Sequence, residues 1–82
     1  MHAAEEDLLE VSCVTAQDLL TIAWQLGNCH LPLEIHTDRV FLRREKVFED
    51  MLGRTEAHVV PVRRPFHPCI GLAAAGIGHS HD

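Results

Sequence analysis

The stretch LEIHTDRVFLR, residues 33 to 43, decides the fold. Leu33 and Ile35 alternate with Glu34 and His36, Asp38-Arg39 interrupts the run, and Val40 to Arg43 resumes it, so residues 33–37 and 40–43 predict a β-hairpin. Both flanks change to a helical period. Upstream, Leu19, Ile22, Ala23 and Leu26 recur on one face of a helix over 15–26, opened by Thr15 with Asp18 three residues later. Leu20 and Trp24, four apart, widen that stripe, and Gly27 or Asn28 offers a left-handed residue to end it. Downstream, Val47, Phe48, Met51 and Leu52 form a shorter stripe over 44–52, stopped by Gly53.

One further strand is expected at each end. Residues 7–13, DLLEVSC, place Leu9, Val11 and Cys13 on one face, and residues 56–64, EAHVVPVRR, are β-rich with Pro61 favouring an edge position or a bulge. A hairpin between two helices, each preceded or followed by a strand, is the split βαβ arrangement, βαββαβ. The expected fold is therefore α+β and ferredoxin-like: a four-stranded antiparallel sheet, two helices on one face and an open opposite face able to dock a partner. After Pro65 the chain turns to small residues and glycine without a period, so the division expected is a folded domain over 1–66 and a flexible tail over 67–82.

Length and composition narrow the function. Eighty-two residues suffice for one domain, but so small a chain buries only about 60% of its unfolded surface, and dimerisation would help it. Apolar content of 46% with 23% charged residues suits a globular protein. No apolar run approaches the roughly 20 residues needed to span a bilayer, and the acidic start MHAAEEDLLE is unlike a signal peptide, so a cytoplasmic protein without a membrane role is expected. A net charge of −5 with dispersed basic residues argues against nucleic acid. Three cysteines without CxxC spacing argue for reduced thiols.

Histidine is the outlier, seven in number and as numerous as lysine and arginine together. It is the commonest metal ligand. His30 stands in a turn between Gly27 and Pro32; its bland role is to cap the preceding helix, its chemical role to present an imidazole from a rigid platform. His79 and His81, one residue apart beside Asp82, can swing onto a metal, the alternative being an ordinary polar terminus. Cys29 is expected to be a small half-buried residue, Cys13 a core residue, and Cys69 an available tail thiol. His36, His58 and His67 read as solvent-facing, edge or extended positions. No nucleophile-base pair, phosphate loop or HExxH pair is present, so catalysis is not expected.

The run LGNCHLPLEI, residues 26 to 35, closely resembles the L-G-N-x-H-x-P-L-x-I signature of the C-terminal metal-binding domain of the UreE urease accessory proteins. EDLLEVSCVTAQDLLTIAWQLGN, VFEDML and PFHPCIG are similar to the segments around that signature. The resemblance implies a cytoplasmic homodimer that binds nickel, with zinc and copper as alternative ions. It also implies delivery of the ion to the urease apoprotein together with accessory proteins that include a GTPase. His30 matches the histidine that the family places on the dimer two-fold axis, and further ligands in the family come from a histidine-bearing tail, which His79 and His81 look able to supply. The family's N-terminal domain has no counterpart here, so an isolated C-terminal domain is expected. The alternative from another class is a ferredoxin-like interaction or regulatory module without metal.

Overall fold

The computed structural model describes residues 4–69. The order is β1 (Glu5–Ser12), α1 (Ala16–Asn28), β2 (Glu34–Ile35), β3 (Val40–Arg43), α2 (Lys46–Gly53) and β4 (His58–Pro65). The four strands form one sheet in the order β2-β3-β1-β4, and every pairing is antiparallel. This is the expected ferredoxin-like arrangement with both helices on one face. β4 is an edge strand, which accommodates the missing donor of Pro61.

Register assigns the faces. Leu9 lies opposite Leu42 and Pro61, and Val11 opposite Val40 and Val59. Leu9, Val11, Val40 and Leu42, with Val59 at the margin, meet Leu19, Ile22 and Leu26 of α1 and Leu52 of α2 in the main core. From α2, Phe48 and Met51 pack at its margin, while Val47, expected in the buried stripe, is exposed because the eight-residue helix presents only one narrow face to the sheet. Thr55 closes α2, its amide and its hydroxyl both donating to the Leu52 carbonyl, at 3.0 and 2.6 Å.

The opposite sheet face is less open than its sequence suggests. Leu8, Phe41 and Val62 line it, and the chain leaving β4 folds back so that Phe66 buries itself on them. The guanidinium of Arg43 lies 5.0 Å from the Phe66 ring centre and that of Arg64 4.1 Å from the Phe41 ring centre, both in cation–π range. The paired arginines are occupied by carboxylates: Arg43 with Glu6, Arg44 with Glu49, Arg63 with Asp7 and Arg64 with Glu34. The exposed pairs, those of Arg43, Arg44 and Arg63, are each worth about 0–1 kcal/mol. Among the described residues no helix is long and apolar enough to cross a membrane.

Candidate metal centre at the His30 turn

α1 is the element that carries His30. Thr15 precedes it in an extended conformation, and its hydroxyl accepts the Asp18 amide at 3.1 Å, satisfying one of the free donors of the first turn. Asp18 also places negative charge at the positive end of the helix. Leu19, Ile22 and Leu26 hold the inner face in the core.

The helix ends later than the glycine predicts. The Cys29 amide donates to the Leu26 carbonyl at 3.1 Å and the His30 amide to the Gly27 carbonyl at 2.9 Å, so three-residue bonds tighten the last turn and keep Gly27 and Asn28 helical. The left-handed residue is His30 itself, with φ of 61°, and it is the one non-glycine residue among those described with positive φ. That conformation costs most L-residues about 1–2 kcal/mol. It persists here because Leu26 on one side and Leu33 on the other are both buried in the same core, leaving a short connection that must reverse at residue 30. The turn pushes the imidazole outward, and His30 is exposed.

Beside it Cys29 is exposed rather than half-buried, since the helix has run past the core by that residue. Cys13 is partly buried against the core, and burial first, then the Asp18 carboxylate, pushes its thiol up, as an inert position requires. Cys69 is exposed.

An apolar ridge leads to the turn along the outside of α1. Leu20 and Trp24, expected to widen the buried stripe, are 69% and 66% exposed. The inner stripe already spans the sheet, so among the described residues nothing covers the next stripe around the helix. A shallow groove beside it is lined by Leu19, Leu20, Ala23, Ile35 and Val40.

Among the described residues the other histidines do not gather with His30 into a cluster. His36 Nε2 lies 2.6 Å from Glu34 Oε2, and its ring meets Phe41 edge-on at 5.5 Å. His58 is exposed on the edge strand β4. His67 is placed through its backbone amide, which donates to Glu34 Oε1 at 2.8 Å. His79 and His81 lie outside the described residues. Among the described residues no three His, Cys, Asp or Glu side chains gather closely enough to hold an ion.

Glu34 escapes sequence reasoning. Strand alternation assigns it to a face expected to be open, yet it is 6% exposed, and Arg64 Nη2 donates to its Oε2 at 3.0 Å. Burial pushes its carboxyl up, but the His67 amide, the His36 ring and the Arg64 charge outweigh that and hold it below the usual range. The available signal was Phe66, a lone aromatic in a run of small residues that needs a surface to bury against.

Comparison with known proteins agrees with this geometry. The family model described as "UreE urease accessory protein, C-terminal domain" matches residues 6–82. A urease accessory protein UreE of Chelativorans sp. (strain BNC1) is 44% identical over 82 residues, covering 100% of this chain and 50% of that protein. Its counterpart in Agrobacterium fabrum is 39% identical over 82 residues, covering 100% of this chain and 51% of the relative. That of Ruegeria pomeroyi is 42% identical over 79 residues, 96% of this chain and 51% of the relative. The chain thus spans about half the length of these curated relatives. An exposed left-handed histidine at the end of an apolar-faced helix, on a ferredoxin-like sheet, is here the property of a chain that belongs to the UreE C-terminal domain family, a family of accessory proteins and not of enzymes.

Proposed function

We propose that this chain is a nickel carrier in urease maturation, holding the ion between two copies of itself. The observation that carries the reading is the His30 turn: an exposed imidazole held out by a strained residue at the end of the ridge of Leu20 and Trp24, which is exposed among the described residues. Two-fold pairing along that ridge would bring the two His30 rings together and supply two nitrogens from one residue per chain. A site split between subunits opens when the subunits part, which suits a protein that must give its cargo away.

In this reading residues 1–66 are the folded body and 67–82 the arm that brings His79 and His81 to the ion. Neutral imidazole suits nickel, and zinc and copper compete for the same donors. The recipient is the urease apoprotein, reached with the other accessory proteins and their GTPase, in the cytoplasm. The relatives' shared name, urease accessory protein UreE, supports this assignment.

Calorimetric titration with Ni²⁺ tests it. Wild type is expected to bind one ion per two chains at the shared site. His30→Ala should abolish that stoichiometry and weaken binding by more than the roughly 10–100-fold that loss of a supporting partner behind a ligand causes. Unchanged affinity and stoichiometry in His30→Ala would overturn the reading.

A further inference from the structure

At the opposite end of α1 from His30, a cavity of about 320 Å³ opens between the start of that helix and the loop from α2 to β4. Ile22 in its lining is buried, Cys13 and Ala57 are half-buried, and Val14, Asp18 and Glu56 are exposed, so the lining passes from apolar within to charged at the mouth. The volume lies at the small end of ligand pockets, roughly 300–1,000 Å³, and suits a side chain better than a cofactor. Val14 at the mouth is 97% exposed.

Most polar groups of the lining are already committed. The Thr21 hydroxyl donates to the Gln17 carbonyl at 3.0 Å, and the Thr55 hydroxyl donates to the Leu52 carbonyl at 2.6 Å and accepts the Ala57 amide at 3.1 Å. Burial and the Asp18 carboxylate keep Cys13 a neutral thiol. The two carboxylates are different. Among the described residues every lysine and arginine except Arg54 has a carboxylate partner, while Asp18, Glu45 and Glu56 are the carboxylates left without an ion pair. Two of those three line this one cavity, and Arg54 does not.

We infer that this cavity docks a basic side chain, lysine or arginine, from an apolar-flanked segment of a partner protein. The aliphatic stem of such a side chain suits the inner lining of Ile22 and Ala57, and its charged head stays at the wet mouth, the division that long basic side chains favour. Asp18 and Glu56 supply opposite charge from two separate elements, which selects a basic partner over an acidic one. Val14 offers the flanking apolar residue a contact. Twelve residues separate Asp18 from His30, about 18 Å at the helical rise, so a partner seated here leaves the His30 turn uncovered. Docking of this kind needs no metal ligand, and its failure would leave the nickel reading untouched.

Amide chemical shifts of the full chain, followed at low ionic strength during titration with short peptides, test the docking. The probes are acetylated, amidated tripeptides in which two leucines flank lysine, arginine, norleucine or glutamate. The lysine and arginine peptides should shift the amides of Val14, Asp18, Glu56 and Ala57 and bind about tenfold more tightly than the norleucine peptide, as two exposed ion pairs supply. The glutamate peptide should bind more weakly still, and physiological salt should narrow the gap between lysine and norleucine. Asp18→Asn combined with Glu56→Gln should close that gap, while unchanged amide positions in β1 and β3 certify the fold. Equal binding of the lysine and norleucine peptides by wild type, a gap that survives the double variant, or shifts centred elsewhere would overturn the inference. So would shifts of the same four amides on dilution of the protein alone, because a second copy would then fill the cavity.

Discussion

His30 is the residue whose backbone and side chain make opposing demands. Its left-handed φ of 61° would suit glycine, yet the position holds an imidazole. Strain kept at an exposed residue, where no packing needs that side chain, is the pattern expected of a functional position. Replacing His30 with glycine should therefore raise stability by up to about 1 kcal/mol, the steric relief less the added freedom of the unfolded chain. The same change should remove nickel binding as fully as His30→Ala. Chemical denaturation beside calorimetry checks the pair of outcomes, and a His30→Gly protein markedly less stable than wild type would mean that the ring supports the fold. Histidine at this place was legible from the sequence as a candidate; its left-handed backbone was not. Helix-stop reasoning favours Gly27, but closing bonds to the Leu26 and Gly27 carbonyls postpone the reversal.

The same division holds at the level of elements. Period alone located both helices and all four strands, since burial on one side of a helix or strand writes itself into residue spacing. The ends moved by a few residues. α1 extends through Asn28 and β2 shortens to Glu34–Ile35, because a strand persists only as far as its neighbour pairs with it. The strap from Phe66 to Cys69 has no period to betray it; its contacts are with Leu8, Leu33, Glu34 and Phe41, all distant in the sequence. Its anchor should respond to acid. The Glu34 carboxyl is held below its ordinary value of about 4.3 in the folded state, so its contribution is fully present above that value and is lost as pH falls through the lower folded value. Glu34→Gln should be less stable than wild type near neutrality, and the gap should narrow below pH about 4.3. Thermal melts from pH 7 down to pH 3 measure it, and a gap constant across that range would assign the stabilisation to something other than the ionised carboxylate.

At the scale of the whole molecule, the exposed ridge on α1 is what remains once the described residues have formed their core. Leu20 and Trp24 are largely exposed among the described residues, so changing both to serine should alter monomer folding by no more than about 0.5 kcal/mol each. If the ridge is the face where two copies meet, the double variant should sediment as a folded monomer at concentrations where wild type is a dimer, and should lose the shared nickel stoichiometry. A variant that remains dimeric would move the interface elsewhere. A sequence cannot distinguish an apolar residue that serves its own core from one that serves a second copy, because both obey the same helical period.

The sequence by itself determined the order βαββαβ, the antiparallel sheet, the edge position of β4 and His30 as the residue to watch. Those features depend on short-range spacing, on proline's missing donor and on a compact motif around one turn. Only the tertiary structure decided that Glu34 is buried, that Phe66 straps the supposedly open face, that His30 carries the positive φ, and that Leu20 and Trp24 face outward. Each of these is settled by which distant residues share a surface, and a charge, an aromatic ring or a strained backbone is stable there only because those partners arrive together.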